Sequence, residues 1–302
     1  MKLSKAQNIL YHIVRTSFYV ISLLPMRVLY GISDMVCPFV RAFYRCQLVR
    51  QQLTECFPEK TLQEIKNIES AFYHQFCDLF VEMIKQFSMS REEMMRRMVF
   101  VDCDEAIANF NSKQNILFMM LGHFGNWEWI ASLQYWTPGV QCSQVYHPLN
   151  NDVFDRLFLD LREQYGGECI PMRKTVRRLL QLNVGDKPVI CGMIADQQPR
   201  WDAIHHFSPF LGHDSAVFIG TEEVAKKLNS LVYYGRVTRV KRGYYQCRAI
   251  PITLNPLEID NYQITDRYME LLEQDIRMHP ELWLWTHKRW TRTKEEWEER
   301  QL

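Results

Sequence analysis

A histidine and a carboxylate five positions apart occur twice in the chain, and either pair could deliver a base. One is His123 with Glu128, within Leu121-Gly122-His123-Phe124-Gly125-Asn126-Trp127-Glu128-Trp129; the other is His147 with Asp152. An imidazole held by a carboxylate keeps one ring nitrogen protonated and offers the other as acceptor. It can then take the proton of a hydroxyl as that hydroxyl attacks a thioester or similar acyl carbonyl. Nine histidines among 35 acidic residues predict such a spacing by chance, so context must choose between the pairs. Ahead of His123, the run Ile116 to Leu121 reads as a strand that fixes the backbone. Gly122 and Gly125 allow a tight turn with close approach of a ligand, and Asn126 suits a helix N-cap that puts Glu128 in the first turn. Within one continuous helix, residues five apart point about 140° apart, so the turn is required to fold the ring back over Glu128. The N–H groups of that glycine turn are the donors available to an oxyanion, and Gly125 and Asn126 are candidate substrate-binding residues. The opposing expectation for His123 is a satisfied buried histidine beside a capping motif.

Other chemistry-bearing residues carry weaker patterns. Asp196 and Gln197 follow the apolar run Val189 to Ala195, and strand C-termini are where α/β sites gather; the alternative is a turn-forming aspartate. Arg162 falls in the helical pattern Val153 to Tyr165, where a surface arginine is the ordinary expectation. His205 and His206 would point to opposite faces of a strand, which favours a solvated loop over a metal site. Nine cysteines, odd in number and without a C-x-x-C pair, read as reduced buried thiols, and no metal or cofactor is expected. The chain has no G-x-S-x-G, G-x-G-x-x-G, G-x-x-x-x-G-K-[ST] or H-E-x-x-H motif. This argues against nucleophile-elbow hydrolase, dinucleotide, P-loop and zincin chemistry.

The elements that would position these residues are legible in the hydropathy pattern. Apolar residues from Thr61 to Phe87 recur at helical spacing. After them, short apolar runs alternate with helical patterns: Ile116 to Leu121 then Glu128 to Trp136, Cys142 to Tyr146 then Val153 to Tyr165, and Val189 to Ala195 then Thr221 to Leu228. The runs Leu231 to Val237 and Tyr244 to Ile252, and a helical pattern over Tyr262 to Met278, complete the series. The expectation is an α/β fold, a mixed central sheet flanked by helices. The whole chain of 302 residues has a net charge of +1, which gives no general basis for nucleic-acid binding. Its first fifty residues, however, hold seven basic side chains against Asp34 alone, a net +6. Within that arm Ile9 to Val40 is largely apolar but is broken by Pro25 and Arg27, so it is short of the roughly 20 apolar residues of a spanning helix. Residues 1–45 therefore read as a retained membrane anchor, an N-terminal membrane-associated helix lying in or obliquely entering the headgroup layer, ahead of one α/β domain over 46–302. The alternative is an internal core helix. Basic clusters at Arg173, Lys174, Arg177 and Arg178 and at Arg239, Lys241 and Arg242 would attract an acidic carrier protein or lipid phosphates, or are solvated faces. Trp283, Trp285, Trp290 and Trp297, mixed with basic residues, suit a membrane interface or a core-edge strand.

The series Arg50-Gln51-Gln52-Leu53 with Cys56-Phe57-Pro58, Gly122 to Trp129, Tyr146 with Pro148-Leu149-Asn150-Asn151, and Arg162 with Gly166 continues through Ala195-Asp196-Gln197-Gln198 and Pro209-Phe210-Leu211-Gly212. It closes in Pro280 to Trp290. In order and spacing the series resembles the bacterial lipid A biosynthesis (late) acyltransferase family, within the wider lysophospholipid and glycerolipid acyltransferases that carry an H-x4-D/E motif. His147 stands where a basic Arg or Lys is usual, and Leu211 where a second Phe is usual. The resemblance implies a glycerolipid acyltransferase-like fold and His123 as general base oriented by Glu128, with Arg162 and Asp196 lining the same cleft. It also implies an acyl carrier protein or acyl-CoA donor, a lipid A precursor as hydroxyl acceptor, and the cytoplasmic face of a bacterial inner membrane. The alternatives are O-acylation of another lipid (a lysophospholipid, an aminolipid or a glycolipid mannoside) and, from a different class, a non-catalytic membrane-binding scaffold. The enzymatic reading requires the His123 ring to face a greasy groove with room for an alkyl tail.

Overall fold

The basic arm folds as two helices, α1 (Lys5–Ser22) and α2 (Met26–Phe43), in a computed structural model that describes residues 3–301. Ser4 and Gln7 cap α1 reciprocally. Pro25, which has no N–H to continue the helix, precedes α2, and the two axes meet at 109°. Among the described residues no single helix is long and apolar enough to cross a membrane. Both helices are tied to the rest of the chain. The Tyr11 hydroxyl donates to Asp160, Ser33 donates to Asp78 at 2.7 Å, and Leu29 and Cys37 are buried.

Helices α3 (Cys46–Cys56) and α4 (Leu62–Lys85) follow; α4 is the predicted amphipathic helix, started by a Thr61–Glu64 capping box. Next come α5 (Arg91–Arg97), β1 (Met98–Val101) and α6 (Cys103–Ala108). The predicted strand β2 occupies Ile116–Leu121 with all six side chains buried, the pattern of a strand covered on both faces. The helical pattern after it forms a 3-10 helix, Trp127–Tyr135, rather than an α-helix; its first turn crowds two tryptophans and Ile130 onto neighbouring positions. Then come β3 (Gln141–Tyr146), α7 (Asp152–Glu163), β4 (Glu168–Pro171), α8 (Thr175–Asn183) and β5 (Val189–Ile194). A hairpin of β6 (Phe207–Phe210) and β7 (His213–Ala216) precedes α9 (Gly220–Leu228), the long strands β8 (Leu231–Lys241) and β9 (Tyr244–Thr253), α10 (Gln263–Met278) and the terminal α11 (Lys294–Glu299).

Seven strands make one sheet in the order β1-β9-β8-β2-β5-β3-β4, parallel throughout except for the antiparallel pair β8 and β9. This is the expected mixed α/β sheet. The central pair decides the site: β2 and β5 run parallel with Leu121 opposite Ile194, so both chains leave the sheet at the same edge, side by side. Residues two positions beyond each strand end, His123 and Asp196, are thereby brought together, at the carboxyl edge where open α/β sheets place their sites.

Candidate active site

The turn leaving β2 passes over α10, and a side chain at Gly122 would put a Cβ 2.6 Å from Leu272 Cδ1. The absence of one lets the His123 backbone come down on Asp196, where its N–H donates to Oδ2 at 2.8 Å. The ring repeats the contact, with Nδ1 2.7 Å from Oδ1. Trp283 completes the cradle by donating its indole N–H to Oδ2 at 2.8 Å. Burial alone would raise the Asp196 pKa. The facing imidazole and these donors overcome it and hold the carboxyl at about 2, so it is ionised and Nδ1 carries the proton. For His123, burial pulls the pKa down, but the Asp196 carboxylate, and Glu128 further off, pull harder; the net direction is upward, against an opposing push from Arg162. Nε2 makes no hydrogen bond to a described residue, the side chain is 23% exposed, and the ring sits edge-on to Trp127 at 5.3 Å. One ring nitrogen is thus fixed and the other free.

The orienting residue is therefore Asp196 and not Glu128, a correction to the expected pairing. Glu128 takes a two-pronged ion pair from Arg162, Nε at 2.9 Å and Nη2 at 2.7 Å. The reason lies in the turn. Phe124 bridges to Trp283 in an antiparallel contact in which Gly125 N–H donates to Leu282 O at 2.9 Å and Leu284 N–H to His123 O at 3.1 Å. The chain then starts the 3-10 helix toward α7, which carries Glu128 to Arg162 while the His123 ring stays turned toward β5. Glu128 acts on His123 through its charge alone. Burial works against the Arg162 charge, and Glu128 more than offsets it, leaving the guanidinium above its ordinary range; its Nη1 has no hydrogen-bond partner among the described residues.

Gly125 and Asn126, the candidate substrate-binding residues, build the turn, and the Gly125 N–H and the Asn126 side chain are engaged within the chain. Gly125 has φ +62° and a Cβ there would meet Val237 Cγ1 at 2.9 Å, so only glycine fits; its N–H, like that of His123, is already engaged. Asn126 is fully buried. It caps the 3-10 helix by accepting from Trp129 N at 3.1 Å and donates to Glu82 at 2.7 Å. Glu82 is itself buried, which pushes its pKa up to about 7 against the donors Tyr30, Asn126 and Tyr245. Gln197 lies beside Asp196, half-buried and without a side-chain hydrogen bond to a described residue. His147 does not meet Asp152: it is exposed and its Nδ1 lies 2.9 Å from the neighbouring Pro148 O, while Asp152 takes a hydrogen bond from Gln7. Gly125 and Trp127, with Phe72, Phe76 and Leu79 of α4, line a crevice with room for only about 10 Å³, one water's worth. This crevice is too small to be the groove for an alkyl tail that the sequence reading requires beside His123.

Of the two expectations for the segment after α10, a membrane interface or a core-edge strand, burial of its first half beneath the sheet edge agrees with the second. Trp283 and Trp285 are buried and pack at right angles, 4.7 Å apart. Gln52 of α3 stitches the segment down, donating to Trp285 O and His287 O and accepting from Arg289 N. Arg289 is wholly enclosed. Its guanidinium lies 5.7 Å from the Phe210 ring centroid, with no hydrogen-bond partner among the described residues. Burial brings its pKa down to about 10, with Asp196 as the nearby counter-charge. Trp283 is a residue of the site that hydropathy could not find, because an aromatic and basic run has the same composition at a lipid interface and under a sheet edge. Among the described residues no group of three or more His, Cys, Asp or Glu side chains could hold a metal ion.

The model of one protein family, described as bacterial lipid A biosynthesis acyltransferase, matches residues 1–292. No curated protein matches the chain. A match over nearly the whole length, on a chain whose two central strands deliver a braced histidine to the sheet edge, establishes that the protein belongs to the bacterial lipid A biosynthesis acyltransferase family.

Proposed function

We propose that the protein transfers a fatty acyl chain from the thioester of an acyl carrier protein or CoA to a hydroxyl of a lipid A precursor, at the cytoplasmic face of a bacterial inner membrane. The observation that carries the reading is the His123 ring, with Nδ1 committed to an ionised Asp196 and Nε2 without a partner on a side chain that is partly exposed. Nε2 takes the proton of the acceptor hydroxyl as its oxygen bonds to the thioester carbonyl carbon. The tetrahedral intermediate then collapses with loss of the thiolate, which takes the proton back from Nε2. Ester and thiol are the products, and no acyl-enzyme is needed. Asp196 fixes the tautomer and stabilises the imidazolium formed in passing; Glu128 adds a second negative charge at longer range. The N–H groups of His123 and Gly125 are already engaged, and the unpartnered Nη1 of Arg162 is one donor available to the carbonyl oxygen as it becomes an oxyanion.

Membrane attachment is supported by the outer surface of α1 and α2, where Ile9, Ile13, Val20, Met35, Phe39 and Phe43 are exposed on the most basic part of the chain. The test is to supply purified protein with acyl carrier protein thioester or acyl-CoA and, separately, a lipid A precursor and a lysophospholipid, and to follow product mass. Transfer to the lipid A precursor is expected, with His123→Ala slower by about a hundred- to ten-thousandfold. Transfer to the lysophospholipid alone would move the assignment to another lipid acceptor, and transfer to neither would leave a non-catalytic scaffold.

A further inference from the structure

A cavity of about 530 Å³ lies in the angle between α2, α3 and α4, lined by none of the His123 site residues. That is within the range of roughly 300–1,000 Å³ typical of small-molecule sites. Arg41, Cys46, Arg50, Glu69, Ser70 and His74 are among its lining. Glu69 is fully buried and receives Arg41 Nε at 2.9 Å and Arg50 Nε and Nη2 at 2.7 and 3.1 Å. Two guanidiniums share one carboxylate, so one positive charge is left over. Both Nη atoms of Arg41 and Nη1 of Arg50 make no hydrogen bond to a described residue. His74 stands half-exposed at the rim, with Nδ1 3.6 Å from Asp34, which also pairs with Arg242.

The position of the cavity indicates what fills it. On α2, Pro38, Arg41 and Ala42 line the cavity, while Met35, Phe39 and Phe43, spaced four apart on the adjoining side, are exposed by 66, 66 and 86%. A cationic hollow with free guanidinium N–H groups thus flanks an apolar strip on the most basic part of the chain. Guanidinium forks match phosphate oxygens, and a hollow at the edge of such a strip sits at headgroup level.

We propose that this cavity binds the phosphate headgroup of an anionic bilayer lipid, with Arg41 and Arg50 donating to its oxygens, as a site separate from the reaction centre. The proposal rests on the reading that α1 and α2 lie on a membrane, and the test separates the two. Full-length protein is floated with phosphatidylcholine vesicles, with and without phosphatidylglycerol. His74→Glu places a negative charge at the rim without touching the Glu69 ion pairs; His12→Glu makes the same change on the exposed side of α1. Phosphatidylglycerol is expected to tighten wild-type binding, and His74→Glu to cut that gain about fivefold or more while His12→Glu leaves most of it. Equal losses in both variants, or a full gain retained by His74→Glu, would overturn the site while leaving membrane attachment intact. Failure of the wild type to bind either vesicle, with Phe39→Glu/Phe43→Glu behaving identically, would overturn both. Glycerol phosphate alone binding the wild type but not His74→Glu in calorimetry, with no vesicle preference, would assign the cavity to a soluble phosphate and overturn the lipid source.

Discussion

Asp196 makes His123 a base with a defined tautomer, and the same contact sets its pH dependence. A carboxylate that favours the imidazolium raises the ring pKa, so activity is lost as pH falls through a value above the ordinary histidine range. Asp196→Asn removes the charge and leaves an amide that can donate to Nδ1, turning the free lone pair inward. We expect turnover to fall steeply and the acid limb of the remaining kcat/KM profile to move to lower pH. An acid limb that stays in place would show that Asp196 does not control the ring. Glu128 and Arg162 form a separate unit beside the pair. The family resemblance implied His123, Glu128, Arg162 and Asp196 in one cleft with Glu128 beside His123; the ring instead contacts Asp196, because spacing along the chain does not record which way a turn leaves its strand.

At the level of elements, the site is a junction of four pieces: the ends of β2 and β5, the 3-10 helix that follows β2, and the strap from Leu282 to Trp290. The strap closes the site from below through the Phe124–Trp283 bridge, the Trp283 indole and the Gln52 stitches. Trp283→Phe keeps the ring packed and removes one donor to an ionised carboxylate, a contact worth about 1.5–3 kcal/mol. We expect the acid limb of kcat/KM to shift and activity to fall several-fold, with a modest loss of thermal stability. Loss of stability with an unmoved pH profile would reduce the strap to a packing role. The strands β2 and β5 and the helix α4 were legible from hydropathy to within a residue or two, because each is covered on a long, regular face. β1, β4 and the β6–β7 hairpin were not, being four residues each and too short to display a period.

For the molecule as a whole, composition and motif order pointed to the fold class and family, and the family match over residues 1–292 agrees. Strand order was hidden, since nothing local to Ile116–Leu121 or Val189–Ile194 says that they lie side by side. That adjacency is the central claim: a parallel pair in register brings His123 onto Asp196, and the chemistry follows from it. The direct measurement is a nitrogen-15 NMR titration of the histidine ring nitrogens, with His123 assigned by its loss in His123→Ala. We expect a proton on Nδ1, a bare Nε2, and a pKa above that of an ordinary histidine that drops in Asp196→Asn. A His123 ring protonated at Nε2, or titrating unchanged when Asp196 becomes Asn, would contradict that claim.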